Sequence, residues 1–217
     1  MKTNTLKVRV ISTVFILMNF LPSRSAVAEE PCADLSGQDR LSSEYLNLIR
    51  SAPVPYAQRN GFSHDQLAPS PPLHWNPHLA RVARQKAQSM ARYNYFAHTQ
   101  PNGLGPNRRL VMSGYPLPRD YPLDSQANTV ESLASGASNA NEAIDQLVID
   151  YGVPGAEHRA HLLATARPFR SHTEVGIGMA CNPRSTYIYY YVILTAPPIP
   201  APRTARANST PTRLKTR

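Results

Sequence analysis

The order of the periodic segments constrains this fold most, because helical patterns come first and a β-rich pair comes last. Two β-rich runs, 174–181 and 186–195, flank a turn-forming segment at 182–185, and this arrangement predicts a β-hairpin. The second run is apolar almost throughout, which is typical of a strand covered on both faces. The sequence therefore predicts a layered α+β sandwich.

Apolar spacing and capping residues predict the helices. The clearest one begins at Asn76, a good N-cap residue, followed by Pro77 at the first helical position. The segments 51–72 and 115–126 are rich in proline and are expected to be connections. The remaining helices are expected from Leu41 to about Pro53, over 108–113, from Asn141 to about Tyr151, and over 156–164.

The first 28 residues resemble an export signal. A basic start precedes an apolar run at 10–21, and Ala26-Val27-Ala28 is a small-x-small cleavage site. An uncleaved membrane anchor is the alternative, although the apolar run is short for a membrane span. We therefore expect a signal peptide at 1–28, a folded domain at 29–196 and a disordered, Pro-rich basic tail at 197–217.

The formal net charge of +9 belongs to the two ends of the chain. Segments 1–28 and 197–217 hold four and five basic residues and no acidic ones, so the body between them is neutral. A nucleic-acid partner is not expected, because such a partner needs a basic patch on the folded domain. The basic tail has two interpretations, a solvated end and a segment that touches anionic surfaces.

The chain has two cysteines, Cys32 and Cys181. In an exported protein an even count favours a disulfide, and two free thiols are the alternative. Neither cysteine has a C-x-x-C partner, so redox catalysis is not expected.

Five short segments occur in one order along the chain. They are LHWNPHLA at 73–80, YFAH at 95–98, VESLA at 130–134, PGAEHRAHLL at 154–163 and TEVGIG at 173–178. Taken together they resemble the CAP superfamily, in its bacterial form: the cysteine-rich secretory, antigen 5 and pathogenesis-related 1 proteins, also known as SCP-like extracellular proteins. This chain departs from the motifs at several positions. Val130 and Ser132 replace the usual Gly and Asn, His161 stands where bacterial members have Asn, and 156–157 is inserted.

The resemblance implies an α-β-α sandwich with a central antiparallel sheet. It also implies an open cleft lined by two histidines and two acidic residues. By position in the motifs these are His98, Glu131 and His158, while the second acid is either Asp150 or Glu157.

Two imidazoles and one or two carboxylates form a mixed donor set that suits Zn²⁺ or another divalent ion. His98 and His158 are the candidate metal ligands, in agreement with the metal binding known for some members of the family. The alternative is a hydrogen-bonded His–Glu network that braces the cleft without a metal.

Ligand binding is the expected class of function, either of a divalent ion or of a small lipid-like or anionic molecule, in signalling or in interaction with a host or the environment. The alternative function is that of a metal-dependent hydrolase or protease that uses the same His–Glu cleft. The sequence therefore leaves open whether the protein is an enzyme. The chain has no G-x-S-x-G motif and no Gly-rich phosphate loop after a strand pattern, so no organic cofactor is expected.

Two groups of ring side chains have less definite roles. The aromatic residues near the end of the helix that begins at Asn76 either pack in the core or flank an apolar groove with loop 115–126: Tyr93, Tyr95 and Phe96. Four histidines outside the motif set are assigned no role and are expected to be solvated: His64, His74, His78 and His172.

Overall fold

The computed structural model describes residues 32, 35 and 37–200. The helices within that part of the chain are α1 Gln38–Ser51, α2 Pro53–Asn60, α3 Pro77–Tyr93, α4 Pro106–Met112, α5 Ala140–Ile149 and α6 Glu157–Leu162. The strands are β1 His74–Trp75, β2 Glu131–Ser135, β3 Glu174–Cys181 and β4 Tyr189–Ala196. The predicted signal peptide at 1–28 and the tail from 201 onward lie outside the described residues. None of the described helices is long and apolar enough to cross a bilayer.

The four strands form one sheet in the order β1-β3-β4-β2. Strand β4 is antiparallel to both β3 and β2, so the centre of the sheet is antiparallel as expected. The short strand β1 adds a parallel edge to β3, and the sheet as a whole is therefore mixed. The hairpin of β3 and β4 confirms the prediction from the two β-rich runs.

A separate hydrophobic core lies on each face of the sheet. Along β4, Tyr191 and Ile193 belong to one core, while Val192 and Leu194 belong to the other. The first core joins the sheet to α1, α2, α5 and α6, and the second joins it to α3 and α4. This alternation confirms the α-β-α sandwich and explains why β4 is apolar at consecutive positions.

Helix α3 lies directly on β3. The Asn76 side chain accepts hydrogen bonds from the backbone N–H groups of His78 and Leu79, which confirms the predicted N-cap. A Cβ atom added at Gly176 or Gly178 would lie 2.1 Å from a backbone nitrogen of α3. The two glycines of TEVGIG therefore provide the space in which the helix backbone contacts the strand.

The segment 51–72 was expected to be a connection, which is wrong for its first part, where α2 forms. Pro53 occupies the first turn of α2, a position at which the missing N–H group costs nothing. Tyr56 and Ala57 are buried by packing of this helix, and Gly61 ends it in the left-handed conformation. The prolines mark the start of this helix rather than its absence.

Cys32 and Cys181 form the predicted disulfide, with Cα atoms 5.5 Å apart. The bridge joins the chain just before α1 to the end of β3. The backbone N–H of Cys32 also donates to the Tyr189 hydroxyl at 3.1 Å, so the same place is held by a hydrogen bond to β4.

Candidate functional site

A cavity of about 330 Å³ opens at the free edge of β2. The loop after α3, strand β2 and helix α6 each contribute side chains to it. Its lining is His98, Asn128, Val130, Glu131, Ser132, Gly155, Glu157, His158, Ala160, His161, Ala166 and Phe169. Four of the five residues predicted for the cleft are in this lining, and the fifth, Asp150, contacts one of them.

His98 and Glu131 form the first imidazole–carboxylate pair. The Nδ1 atom of His98 lies 3.0 Å from Oε1 of Glu131. The other carboxylate oxygen of Glu131 accepts a hydrogen bond from Arg109 on α4. Asn128 fixes the start of β2, because its side chain accepts from the backbone N–H of Glu131. Glu131 is thus held on both oxygens.

Charge compensation keeps Glu131 ionised although it is buried. Burial alone would raise the pKa of this carboxyl, but Arg109, His98 and Lys86 together lower it below its ordinary value. Arg109 and Lys86 were not found from the sequence, because a single basic residue within a helix has no pattern that separates a buried cation from a solvated one.

Lys86 fixes the backbone that presents His98. Its ammonium group donates to the carbonyl oxygens of Ala97 at 2.6 Å and of His98 at 3.1 Å, and to the Tyr95 hydroxyl at 3.3 Å. Burial lowers the pKa of Lys86 to about 8. All three ammonium hydrogens thus have a partner in the loop after α3.

His158 and Asp150 form the second pair. The Nδ1 atom of His158 lies 2.8 Å from Oδ1 of Asp150, and Oδ2 accepts from the backbone N–H groups of His158 and Arg159. Asp150 ends α5 in the left-handed conformation, with φ 53°, and so reaches the first turn of α6. Of the two acids left open by the sequence, the structure pairs Asp150 with His158, while Glu157 lines the cavity.

The two pairs present their imidazoles in the same way. A carboxylate can only accept hydrogen bonds, so the Nδ1 atom of each histidine carries a proton, and in the neutral ring the lone pair is on Nε2. This arrangement leaves one nitrogen lone pair on each of two cavity-lining rings, and such a nitrogen can bind a cation or accept from an O–H group.

A second polar cluster lies behind the cleft and was not predicted. His172 was expected to be solvated, but only 3% of it is exposed. Its Nδ1 atom lies 2.6 Å from Oγ1 of Thr195, which also lies 2.6 Å from Nε2 of His161. The expectation for His172 is wrong because the turn at 169–171 folds it onto β4, a long-range contact that local sequence does not reveal.

The aromatic residues near the end of α3 do not line the cavity. Tyr93 and Phe96 are exposed, at 62% and 39%, and are not core residues, whereas Tyr95 is partly buried and packs against the core on the α3 side of the sheet. Tyr115 and Tyr121 of loop 115–126 are buried in the core on the α3 side of the sheet. The described structure thus gives no groove between these two segments, and the aromatic ring of the cleft is instead Phe169.

Within the described residues, no group of three or more His, Cys, Asp or Glu side chains is arranged to hold a metal ion. The carboxylates of Glu131 and Asp150 are already engaged by hydrogen bonds to the imidazoles and to Arg109 or backbone N–H groups. A cation in this cleft would therefore have two nitrogen ligands from the protein and would need water or a ligand to complete its shell.

The three-layer fold and the paired His–carboxylate cleft together define an SCP-like domain. The model of CAP, the cysteine-rich secretory protein family, matches residues 44–194, and the chain belongs to this family. The resemblance drawn from the five motifs is thereby confirmed. No curated protein sequence matches the chain significantly.

Three solved structures are similar to this chain. An extracellular protein containing an SCP domain from Bacillus anthracis has 20% identity and a TM-score of 0.48; the match covers 75% of this chain but only 41% of that one. An outer surface protein of Borrelia burgdorferi has 18% identity and a TM-score of 0.47, with 76% and 96% covered. Venom allergen-like protein 4 of Schistosoma mansoni has 17% identity and a TM-score of 0.44, with 75% and 90% covered.

Proposed function

We propose that this chain is an exported binding protein whose cleft holds a divalent cation, such as Zn²⁺, through the Nε2 atoms of His98 and His158. The observation that supports the proposal most is the pairing of each Nδ1 atom with a carboxylate, at 3.0 and 2.8 Å. Carboxylate–imidazole pairs of this kind orient metal-binding histidines and raise their basicity.

Export is supported by three observations. The first 28 residues have the pattern of a signal peptide. The disulfide between Cys32 and Cys181 is typical of an oxidising compartment. The family to which the chain belongs is described as secretory.

Binding fits the site better than hydrolysis. The Glu131 carboxylate is occupied by Arg109 and His98, and its lowered pKa makes it a weak base. A bound cation would supply Lewis acidity, and the chain's own residues would hold and orient it. Glu157 is the cavity-lining carboxylate nearest in sequence to His158 and would contribute charge to the site.

The size of the cavity limits a second occupant. A volume of about 330 Å³ is near the lower end of the range for ligand sites, so it suits a small molecule better than a long acyl chain. A small lipid-like molecule without a long acyl chain is therefore the second candidate, and the mass of its adduct distinguishes it from a metal ion.

The test is calorimetric titration of the mature protein with Zn²⁺, together with native mass spectrometry of protein purified without chelator. We expect one zinc per chain and loss of binding in the variant His98→Ala/His158→Ala. Asp150→Asn should weaken zinc binding by about 10- to 100-fold, the usual effect of removing a carboxylate behind a metal-binding histidine.

His74→Ala is the matched control, since His74 is an exposed histidine of β1 outside the cavity lining. It should bind zinc like the parent protein. Unchanged zinc binding in the double variant would refute the assignment of the ligands, and an adduct of lipid mass without zinc would favour the second candidate.

A further inference from the structure

A continuous chain of five hydrogen-bonding side chains leads from the cleft into the protein. Its four contacts are Ser132 Oγ to His161 Nδ1 at 2.7 Å, His161 Nε2 to Thr195 Oγ1 at 2.6 Å, Thr195 Oγ1 to His172 Nδ1 at 2.6 Å, and His172 Nε2 to Tyr121 Oη at 2.8 Å. Each of the five residues is at most 6% exposed. Ser132 and His161 line the cavity, so one end of the chain is at the cleft.

The cleft end of this chain falls on two departures from the family motifs. Ser132 stands where the motif has Asn, and His161 stands where bacterial members have Asn. These two residues contact each other.

The chain of contacts has two self-consistent directions. Burial lowers the pKa of His172 to about 4 and that of His161 well below its ordinary value, so both rings are neutral at neutral pH. Each of the five side chains then has one hydrogen to donate. When Thr195 donates to one of its two ring partners, the four contacts use four of these hydrogens and the fifth is left at an end of the chain.

The two directions differ at the cleft. In the inward direction each side chain donates to the next one toward Tyr121. Ser132 then donates to His161, both histidines carry the proton on Nε2, and Ser132 has only lone pairs to offer to the cavity. In the outward direction each side chain donates to the next one toward Ser132. Both histidines then carry the proton on Nδ1, and the Ser132 hydroxyl can donate its hydrogen to the cavity. Thr195 couples the two rings when it donates to one of them, because the other ring must then donate to Thr195.

The fixed groups of the cleft decide between these directions for a bound ligand. The Nε2 lone pairs of His98 and His158 require a cation or a donor, and a group that satisfies them brings O–H hydrogens with it, either as cation-bound water or as a ligand hydroxyl. Cation-bound water uses a lone pair on the cation and has hydrogens free, and a polyol such as glycerol has a second hydroxyl besides the one that donates to an imidazole. Each of them can donate an O–H to Ser132, which is then the acceptor.

We propose that Ser132 is a specificity-determining residue of the cleft, that it accepts a hydrogen bond from an O–H donor bound there, and that the chain to Tyr121 sets both buried histidines in the Nε2–H tautomer when the cleft is occupied. The identity of the donor as cation-bound water rests on the proposed function, whereas the coupling of the two tautomers does not.

The test is long-range ¹H–¹⁵N NMR of the histidine rings in ¹⁵N-labelled protein at neutral pH. In the free protein His161 and His172 should have the same tautomer, and with Zn²⁺ or with glycerol bound both should carry the proton on Nε2. Opposite tautomers in the free protein, or an Nδ1–H ring in the bound protein, would overturn the proposal.

Two variants test the coupling and the contact separately. Thr195→Val should uncouple the two tautomers, whereas Thr195→Ser keeps the hydroxyl and should keep them coupled. Ser132→Ala should weaken binding of the probe by about two- to tenfold, the effect of one hydrogen bond, while Ser135→Ala on the same strand should not. If Ser132→Ala binds the probe with the affinity of the parent protein, Ser132 does not make the proposed hydrogen bond to it.

The two probes separate this proposal from the proposed function. If Zn²⁺ binds and leaves either ring as Nδ1–H, the role of Ser132 is wrong and the cation site stands. If only glycerol binds and gives Nε2–H rings, the role of Ser132 stands and its donor is a ligand hydroxyl. If neither probe binds at all, the assigned role is wrong.

Discussion

At the scale of single residues, the buried histidines make the stability of the protein sensitive to acid. The pKa of His172 is lowered to about 4 by burial, and its ordinary value is near 6.5. Between these two values the unfolded chain binds a proton that the folded chain does not. The free energy of unfolding is therefore unaffected above about pH 6.5 and falls by about 1.4 kcal/mol per pH unit below it, to a total of about 3 kcal/mol near pH 4.

The measurement is urea unfolding at several pH values for the parent protein and for His172→Gln. Carboxyl groups titrate in the same range, so the difference between the two slopes isolates the histidine. We expect a shallower loss of stability in the variant between pH 6.5 and 4. Equal slopes would show that His172 is not buried as a neutral ring.

The ion pair of Arg109 and Glu131 gives a second prediction at this scale. Glu131 is 3% exposed, so removal of its cation leaves a buried charge. Arg109→Met should destabilise the protein by about 3–5 kcal/mol, and Arg109→Met/Glu131→Gln should recover part of that loss because no charge is then uncompensated. Arg108→Met is the matched control, as Arg108 is the exposed neighbour. Thermal unfolding measures all three, and a double variant no more stable than Arg109→Met would contradict the explanation.

The sequence identified residues that line the cleft, but it did not identify Arg109 and Lys86, which hold those residues in place. His98, Glu131 and His158 lie in short motifs whose order identifies the family. The choice between Asp150 and Glu157 depended on the left-handed end of α5, which turns the Asp150 carboxylate toward α6. That turn is a matter of backbone conformation, and the sequence left both acids open.

At the scale of elements, the close contact between α3 and β3 depends on two glycines of β3, Gly176 and Gly178, which have no side chain. Gly176 has no positive φ, so its role is spatial, and a Cβ there would meet the backbone of Ala80. Gly176→Ala should force the helix from the strand and destabilise the protein by about 2–3 kcal/mol. Gly37→Ala is the comparison, with a φ of +76° but open space around it, and should cost only about 1–2 kcal/mol. Chemical unfolding of both variants decides, and an equal or smaller loss at Gly176 would contradict the spatial role.

Elements with strong local signals were predicted, and those that depend on partners were not. Helix α3 has a capping residue, a proline at its first turn and a long apolar stripe. Strand β2 has five residues and is defined by its pairing with β4, some sixty positions later in the chain. Strand β1 has two residues and exists only because it pairs with β3. A pattern of so few residues cannot be distinguished from a loop.

At the scale of the whole molecule, the sandwich serves to bring distant segments to one edge of the sheet. The loop with His98, strand β2 and the α5–α6 junction meet around one cavity. Their meeting depends on β4, because it pairs with β2 on one side and β3 on the other while both of its faces are covered. The apolar run at 186–195 predicted that both faces of this strand are covered, but its place between β3 and β2 is known only from the pairing.

The disulfide also joins distant segments of the chain, by a covalent bond between Cys32 and Cys181. It joins residues separated by 149 positions and so restricts nearly the whole folded body in the unfolded state. In the chain-entropy account, closing a loop of this length raises the free energy of unfolding by about 5 kcal/mol, a large fraction of the stability of an ordinary domain.

The variant Cys32→Ser/Cys181→Ser should therefore unfold at a much lower urea concentration than the oxidised protein. Reduced parent protein should match the variant, and oxidised parent protein, when unfolded, should show no free thiol. A variant as stable as the oxidised protein would mean that the hydrogen bond from Cys32 to Tyr189 and the packing of α1 hold this end of the domain without the bridge.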